Sequence, residues 1–178
     1  MKIAMNQPYL FPYRGYFNLI ASVDKFVIYD DAQYIKGGWI NRNNFPEPFT
    51  FRLKRHSNYD KINKCYFADL YEDIDRFRRK FPKLPTKYFK KMNNYEDISI
   101  NITYVLEEIC KDLGIKTPFY FASDFSHGRF AEGVVDIVKA LGGDTYINLP
   151  GGRELYTQEM FGGIKLEFLD TVKGPSIL

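Results

Sequence analysis

The stretch Lys2–Tyr29, KIAMNQPYLFPYRGYFNLIASVDKFVIY, decides the fold. Its opening, KIAMN, is short and mostly apolar and stops at Gln7-Pro8. Proline pushes the residue before it into extended backbone, so a strand running into a turn is expected. From about Tyr13, the residues Tyr16, Phe17, Leu19 and Ile20 share one helical face. FVIY at 26–29 is β-branched and aromatic and ends at Asp30-Asp31, which reads as a second strand. Strand, helix and strand in about 30 residues match the dimensions of a parallel βαβ unit.

The second half repeats the rhythm. Ser99–Leu113 places Ile102, Val105, Leu106, Ile109 and Leu113 on a helical period, with Gly114 behind it as a terminator. PFYFA at 118–122 reads as a buried strand, 129–141 as a helix ended by Gly142-Gly143, and TYINL at 145–149 as a strand. A short helix follows Pro150-Gly151-Gly152, then the strand IKLEFL at 164–169. The expected fold is α/β, a mostly parallel sheet with helices on both faces.

The middle breaks this pattern. FTFRL at 49–53 alternates like an edge or antiparallel strand, and 69–92 is helical but interrupted by Pro82 and Pro85. The chain is therefore read as a single domain over 1–178 with a basic helical insertion at about 69–93. From Arg76 to Lys91 the insertion carries Arg76, Arg78, Arg79, Lys80, Lys83, Lys87, Lys90 and Lys91 and no acid, interleaved with Phe77, Phe81, Tyr88 and Phe89. Such a pattern can grip RNA or a diphosphate; a solvated basic face with its rings turned inward explains it equally and is the favoured reading.

Composition bounds the function. The 178 residues are 45% hydrophobic and 26% charged, which excludes a disordered or collagen-like chain. A net charge of +3 does not announce a nucleic-acid binder, and nucleic acid is not an expected partner. Aromatic residues reach 17%, so rings must supply much of the burial. Cys65 and Cys110 are too few for a disulfide framework; Cys110 sits in the apolar pattern of a helix and reads as a core thiol. There is no HExxH, CxxC or EF-hand spacing, so no metal is expected, and no cofactor is called for. The N-terminus lacks a signal-peptide h-region and no apolar run reaches membrane-span length, so a soluble cytoplasmic protein is expected, with no membrane partner.

In open α/β sheets ligands bind beyond the carboxyl ends of the strands. Four polar or Gly/Pro-rich segments leave those ends: Gln7-Pro8-Tyr9, Asp30 to Tyr34, Ser123-Asp124 and Asn148 to Gly152. Asp30-Asp31 offers a general base or a hydroxyl acceptor, with at most one of the two facing a ligand, since adjacent residues alternate sides; a turn cap and a solvated acid read equally well. Ser123-Asp124 is either a helix cap or a cleft-facing pair. The Leu149–Gly152 loop brings glycine N–H groups to a helix start, a seat for phosphate or a plain turn. KGGWINRNN at 36–44 holds the only Trp; Trp39 can stack on a ring or plug a turn, Arg42 suits phosphate, and Asn41 and Asn43 suit hydroxyls. His127, between strand and helix, is the histidine nearest a ligand edge.

Together, Gln7-Pro8-Tyr9, Phe11-Pro12, Gly15-Tyr16-Phe17, Asp24, Asp30-Asp31, Gln33-Tyr34, Trp39 and Asn41-Arg42-Asn43 resemble the opening of WbqC-like proteins. Leu113-Gly114-Ile115, Ser123-Asp124, Ala140-Leu141-Gly142, Tyr146-Ile147-Asn148, Gly151-Gly152 and Tyr156 are similar to their second half. The resemblance covers roughly 1–44 and 105–169, and the basic insertion matches poorly. It implies bacterial surface-polysaccharide (O-antigen) assembly and acyl or glycine-type aminoacyl transfer to the amine of a nucleotide-linked sugar. Members usually continue past the last strand into a longer polar loop and helix start, of which Gly174–Leu178 is a stub; if that segment donates a site residue, the expectation is either an incomplete site or compensation by a partner chain in a homo-oligomer.

On that reading Asp31 or His127 is the base and Asp30 or Asp124 its orienter. Arg42 and the Gly151-Gly152 loop hold phosphate, and Gln7, Asn41, Asn43 and Asn148 read sugar hydroxyls. Tyr9, Tyr16, Gln33, Tyr34, Trp39 and Ser123 complete the substrate-contacting set. Two other classes stay open. The strand, Pro-containing turn and helix at Gly15-Tyr16 are loosely similar to the opening of nucleotidylyltransferase-like domains, although Arg14-Gly15-Tyr16-Phe17 lacks the expected histidines. A non-catalytic binding module could instead use the basic, aromatic insertion on an anionic polymer or a protein.

Overall fold

The computed structural model describes residues 1–170; the Gly174–Leu178 stub lies outside them. The chain forms two compact units. Among the described residues, the first holds Met1–Asn6, Tyr13–Tyr29 and 115–170; the second holds Gln7–Pro12 and Asp30–Gly114.

The first unit contains strands β1 (Lys2–Asn6), β2 (Lys25–Ile28), β5 (Phe119–Phe121), β6 (Thr145–Asn148) and β7 (Lys165–Phe168), with helices α1 (Arg14–Ala21) and α4 (Phe130–Ala140). All pairings are parallel, in the order β5-β2-β1-β6-β7. The connection β1–α1–β2 steps one way across the sheet and β5–α4–β6 steps back the other way. Right-handed crossovers therefore place the two helices on opposite faces.

The register agrees. Ile3, Val27 and Tyr146 share a face with Met5, and all four pack in one cluster with Val134, Ile137, Val138 and Leu141 of α4. Ala4, Phe26 and Ile147 point the other way. There Tyr16 of α1 meets Phe26 with ring centroids 5.5 Å apart. The expected α/β sheet with helices on both faces is thus what forms, wholly parallel rather than mostly so. PFYFA, expected as a buried strand, is half-buried β5, because it takes the edge of the sheet where one flank has no neighbour.

The second unit holds a small antiparallel sheet of β3 (Arg42–Asn44) and β4 (Pro48–Thr50), with helices α2 (Leu70–Lys80) and α3 (Ile98–Asp112). α2 starts where the Asp69 side chain accepts the Glu72 N–H; acids in its first turn and Arg78, Arg79 and Lys80 in its last complement the helix dipole. It stops at Phe81, directly before Pro82. α3 begins at the Asp97 carboxylate, which accepts the N–H groups of Ser99 and Ile100. Although its period resembles that of a sheet-covering helix, α3 belongs to this unit and packs on the 3₁₀ turns Ile62–Lys64 and Lys87–Phe89.

The core of this unit is a cluster of rings. Phe77 lies 4.9 to 6.3 Å, centroid to centroid, from Phe11, Phe45, Phe49, Phe51, Phe81 and Phe89. Edge-to-face contacts dominate, as the ring quadrupoles favour. Phe77, Phe81 and Phe89 of the basic insertion are buried while Arg78, Arg79, Lys80, Lys83, Lys87, Lys90 and Lys91 are exposed, which is the solvated face favoured from the sequence. Cys110 and Cys65 are buried free thiols; burial pushes them up to about 12 and about 11.

Candidate functional site

In the first unit, the chain runs outward from β1 to β2 and β5 on one side and returns to β6 and β7 on the other. The strand order reverses between β1 and β6, the position at which open α/β sheets leave a crevice for ligands. The strands end there in Asn6 and Asn148. Register places Asn148 on the α4 side of the sheet, with Tyr146 and Phe168.

Asn148 is half-buried. Its Oδ1 accepts the Leu149 N–H at 2.8 Å, and Nδ2 has no acceptor among the described residues. Gly152 permits this pose: a Cβ there would stand 2.3 Å from Nδ2. The loop is not the bare N–H cradle expected from its glycines. Pro150–Glu154 is a 3₁₀ turn, and the Gly152 N–H is bonded to the Leu149 carbonyl at 2.9 Å. Gly151 is exposed, with open space around its Cα.

The loop after β5 carries Ser123 and Asp124, both exposed, and half-buried His127. His127 Nδ1 lies 2.8 Å from the Gly128 carbonyl oxygen. A carbonyl only accepts, so Nδ1 carries the proton in that bond. The Gly128 N–H donates to Asp136 of α4 at 2.9 Å. Gly133 brings the helix close, because a Cβ there would meet the Gly128 oxygen at 2.4 Å. The carboxylate tied to the His127 loop is therefore Asp136; Asp124 is exposed.

A tyrosine group stands on the same face. Tyr146 is buried, stacks on Phe161 with centroids 5.3 Å apart, and meets Tyr156 edge-on at 6.3 Å. Burial first, and the neighbouring Tyr156 and Tyr29 second, raise its hydroxyl above the ordinary tyrosine range. Asn6, Tyr29 and Asp136 also lie in this unit, outside the sequence-derived set. Asn6 and Tyr29 close their apolar runs, which is the sequence signal that marks them; Asp136 has none, being one acid on a helix surface. Tyr16 is 2% exposed and belongs to the core on the α1 side.

The other sequence-derived residues lie in the second unit. Asp30 is buried; its Oδ2 accepts from Asn63 Nδ2 at 2.9 Å and its carbonyl accepts the Asn63 N–H at 2.9 Å. Asp31 pairs with Lys61 at 3.1 Å. Gln33 is exposed and donates to the Asn58 carbonyl at 2.8 Å. Gln7 and Tyr9 are half-buried.

Asn41 and Asn43, expected to read hydroxyls, are buried and bonded to the protein itself. Asn41 takes the Tyr34 hydroxyl at 2.7 Å and donates to the Phe51 carbonyl at 2.6 Å. Burial, then the nearby Cys65, raises the Tyr34 hydroxyl. Asn43 donates to the Leu10 and Phe11 carbonyls at 3.1 and 2.5 Å and accepts from the Tyr9 hydroxyl at 3.2 Å. Trp39 is 48% exposed and does not plug a turn. Arg42 lies over its ring at 5.1 Å and donates to the Gly37 carbonyl at 3.2 Å, while the Tyr9 ring is 6.4 Å away.

No cluster of three or more His, Cys, Asp or Glu suited to a metal occurs among the described residues, and none of their helices is long and apolar enough to cross a membrane.

The first unit therefore falls in the class of open parallel α/β sheets wound on both faces. The chain belongs to the WbqC-like protein family, whose model matches residues 7–176. It is also similar to the Uncharacterized protein Rv1507c of Mycobacterium tuberculosis (strain ATCC 25618 / H37Rv), with 60% identity over 42 residues. That match covers 24% of this chain and 18% of the relative. No solved structure matches.

Proposed function

We propose that the carboxyl edge of the parallel sheet binds a nucleotide-linked amino sugar and that the protein transfers an acyl or aminoacyl group to its amine. The observation that carries this reading is the reversal of strand order between β1 and β6, with Asn6 and Asn148 at the reversal. Family membership supports the substrate class, since the WbqC-like resemblance points to surface-polysaccharide assembly. The reaction needs a base to take the ammonium proton, so that the amine nitrogen can attack the carbonyl of an activated donor; the amide forms as the bond from that carbonyl to the donor's leaving group breaks, and the leaving group departs with a second amine proton. His127 suits that role, being held by the Gly128 carbonyl at the mouth of α4. Asn148 Nδ2 supplies a donor for a sugar hydroxyl or phosphate oxygen. Asp31 and the stacked Trp39–Arg42 pair belong to the second unit and are not part of the site proposed here.

The test is a thermal-shift screen with UDP- and dTDP-linked amino sugars, followed by turnover of whichever binds. A ligand at 100 times its Kd adds about 2.7 kcal/mol, which raises Tm by roughly 5–11 °C for a chain of this size. His127→Ala should lower turnover about 10²–10⁴-fold with Tm preserved. Unchanged turnover in a folded His127→Ala protein would remove it as the base.

A further inference from the structure

We propose that a groove in the second unit, formed by β4 and α2, binds the phosphate groups of a small phosphorylated molecule of the pyrophosphate type. The groove has a volume of about 620 Å³ and is lined by Arg52, Arg76, Arg79 and Lys80 beside Pro48, Phe49 and Thr50, with no acid in the lining. Arg76, Arg79 and Lys80 stand at i, i+3 and i+4 on α2, so they share one face.

What separates this groove from an ordinary basic surface is the anchor beneath it. Asp73 is 0% exposed. Its Oδ1 accepts from Arg52 Nε at 2.8 Å and from Arg76 Nη1, and its Oδ2 accepts the Arg52 backbone N–H at 2.6 Å. Glu72 holds Arg52 Nη2 at 2.6 Å, and Arg76 lies over the Phe49 ring at 5.2 Å. Two guanidiniums are thus fixed from below by folding, and a ligand does not have to order them. Arg79 has no ion pair among the described residues. Lys80 pairs at 2.9 Å with Glu47, which is 69% exposed and can give way to a bound anion.

The same geometry favours a compact phosphate compound over a nucleic acid. Single-strand binders offer bare rings on which bases stack. Here Phe49 is 5% exposed and covered by Arg76, so the groove offers cations and the Thr50 hydroxyl but no stacking surface.

The experiment is a calorimetric titration of pyrophosphate, inorganic phosphate and a short oligouridine into the full chain. Three proteins are compared at one ionic strength: wild type, Arg79→Gln/Lys80→Gln, and Lys83→Gln/Lys90→Gln, which removes equal charge elsewhere on the insertion. The substituted residues are exposed, and circular dichroism confirms that each variant folds; Arg79→Gln alone serves if the first double variant does not. The expected result is saturable pyrophosphate binding, weakened about tenfold or more in Arg79→Gln/Lys80→Gln by loss of charge-assisted hydrogen bonds. Lys83→Gln/Lys90→Gln should stay within about twofold of wild type, since screening confines the effect of distant charges. Absence of saturable pyrophosphate binding at millimolar concentration overturns the proposal. So does an equal loss in both double variants, or tighter binding of oligouridine than of pyrophosphate.

Discussion

Asn43→Ala tests whether the amides of the Asn41–Asn44 run serve the fold. Asn43 is 4% exposed, and its Nδ2 closes the chain against the carbonyls of Leu10 and Phe11. Phe11 sits at φ 54, a left-handed conformation costing a non-glycine residue about 1–2 kcal/mol. Its ring packs against Phe45, Phe77, Tyr88 and Phe89, so the amide holds a strained residue where the aromatic core needs it. Truncation strands two buried carbonyls at about 1–3 kcal/mol each; the released Tyr9 hydroxyl and Asn44 N–H can turn to water, and partial relief of strain offsets some of the loss. The expected cost is about 2–4 kcal/mol, or roughly 4–16 °C in Tm. Asn44 is exposed, and Asn44→Ala should stay within about 0.5 kcal/mol of wild type. Urea denaturation of both variants, with unchanged m, gives the comparison. Asn43→Ala as stable as Asn44→Ala would show that the buried amide does not hold the Leu10–Phe11 turn.

Three further outcomes follow from the geometry. Gly133→Ala should cost about 1–3 kcal/mol, because its Cβ would stand 2.4 Å from the Gly128 oxygen and force α4 or the His127 loop to move; thermal melts read the cost, and an unchanged Tm contradicts it. Stability should fall with rising pH from about 9, because unfolded thiols release protons there while Cys65 and Cys110 hold theirs to about 11 and about 12. The folded state then binds more protons, so the slope is negative, at most about 1.4 kcal/mol per pH unit per thiol, and Cys110→Ala should flatten it. The same burial should leave both thiols unreactive toward disulfide reagents at pH 8 until denaturant is added, which a timed thiol assay reads directly.

The sheet was legible because its signals are local. KIAMN, FVIY and TYINL are apolar runs ended by polar or proline residues, and the helices between them keep one apolar face. The second unit was less so. NRNN gives no strand signal, yet Arg42–Asn44 is a strand, because the buried Asn41 amide is satisfied by Phe51 across the hairpin and the Asn43 amide by Leu10 and Phe11, far away in sequence. For α3 the period revealed a buried face but not which core it would bury, and it joined the ring cluster's unit. At the candidate site, strand ends pointed to His127 and Asn148, which lie in the loop after β5 and at the last residue of β6. The Gly152 N–H could not be foreseen as occupied, since a 3₁₀ turn and an open phosphate loop share the same Pro-Gly-Gly.

The whole proposed reaction depends on a nucleotide-linked amino sugar binding at the carboxyl edge of the parallel sheet. Calorimetric titration of UDP- and dTDP-linked amino sugars into wild type and Asn148→Ala tests it most directly. Saturable binding of one of them at a single site is expected, weakened at least about fivefold when the Asn148 amide is lost. Absence of binding by any of them, or undiminished binding in a folded Asn148→Ala protein, would contradict it.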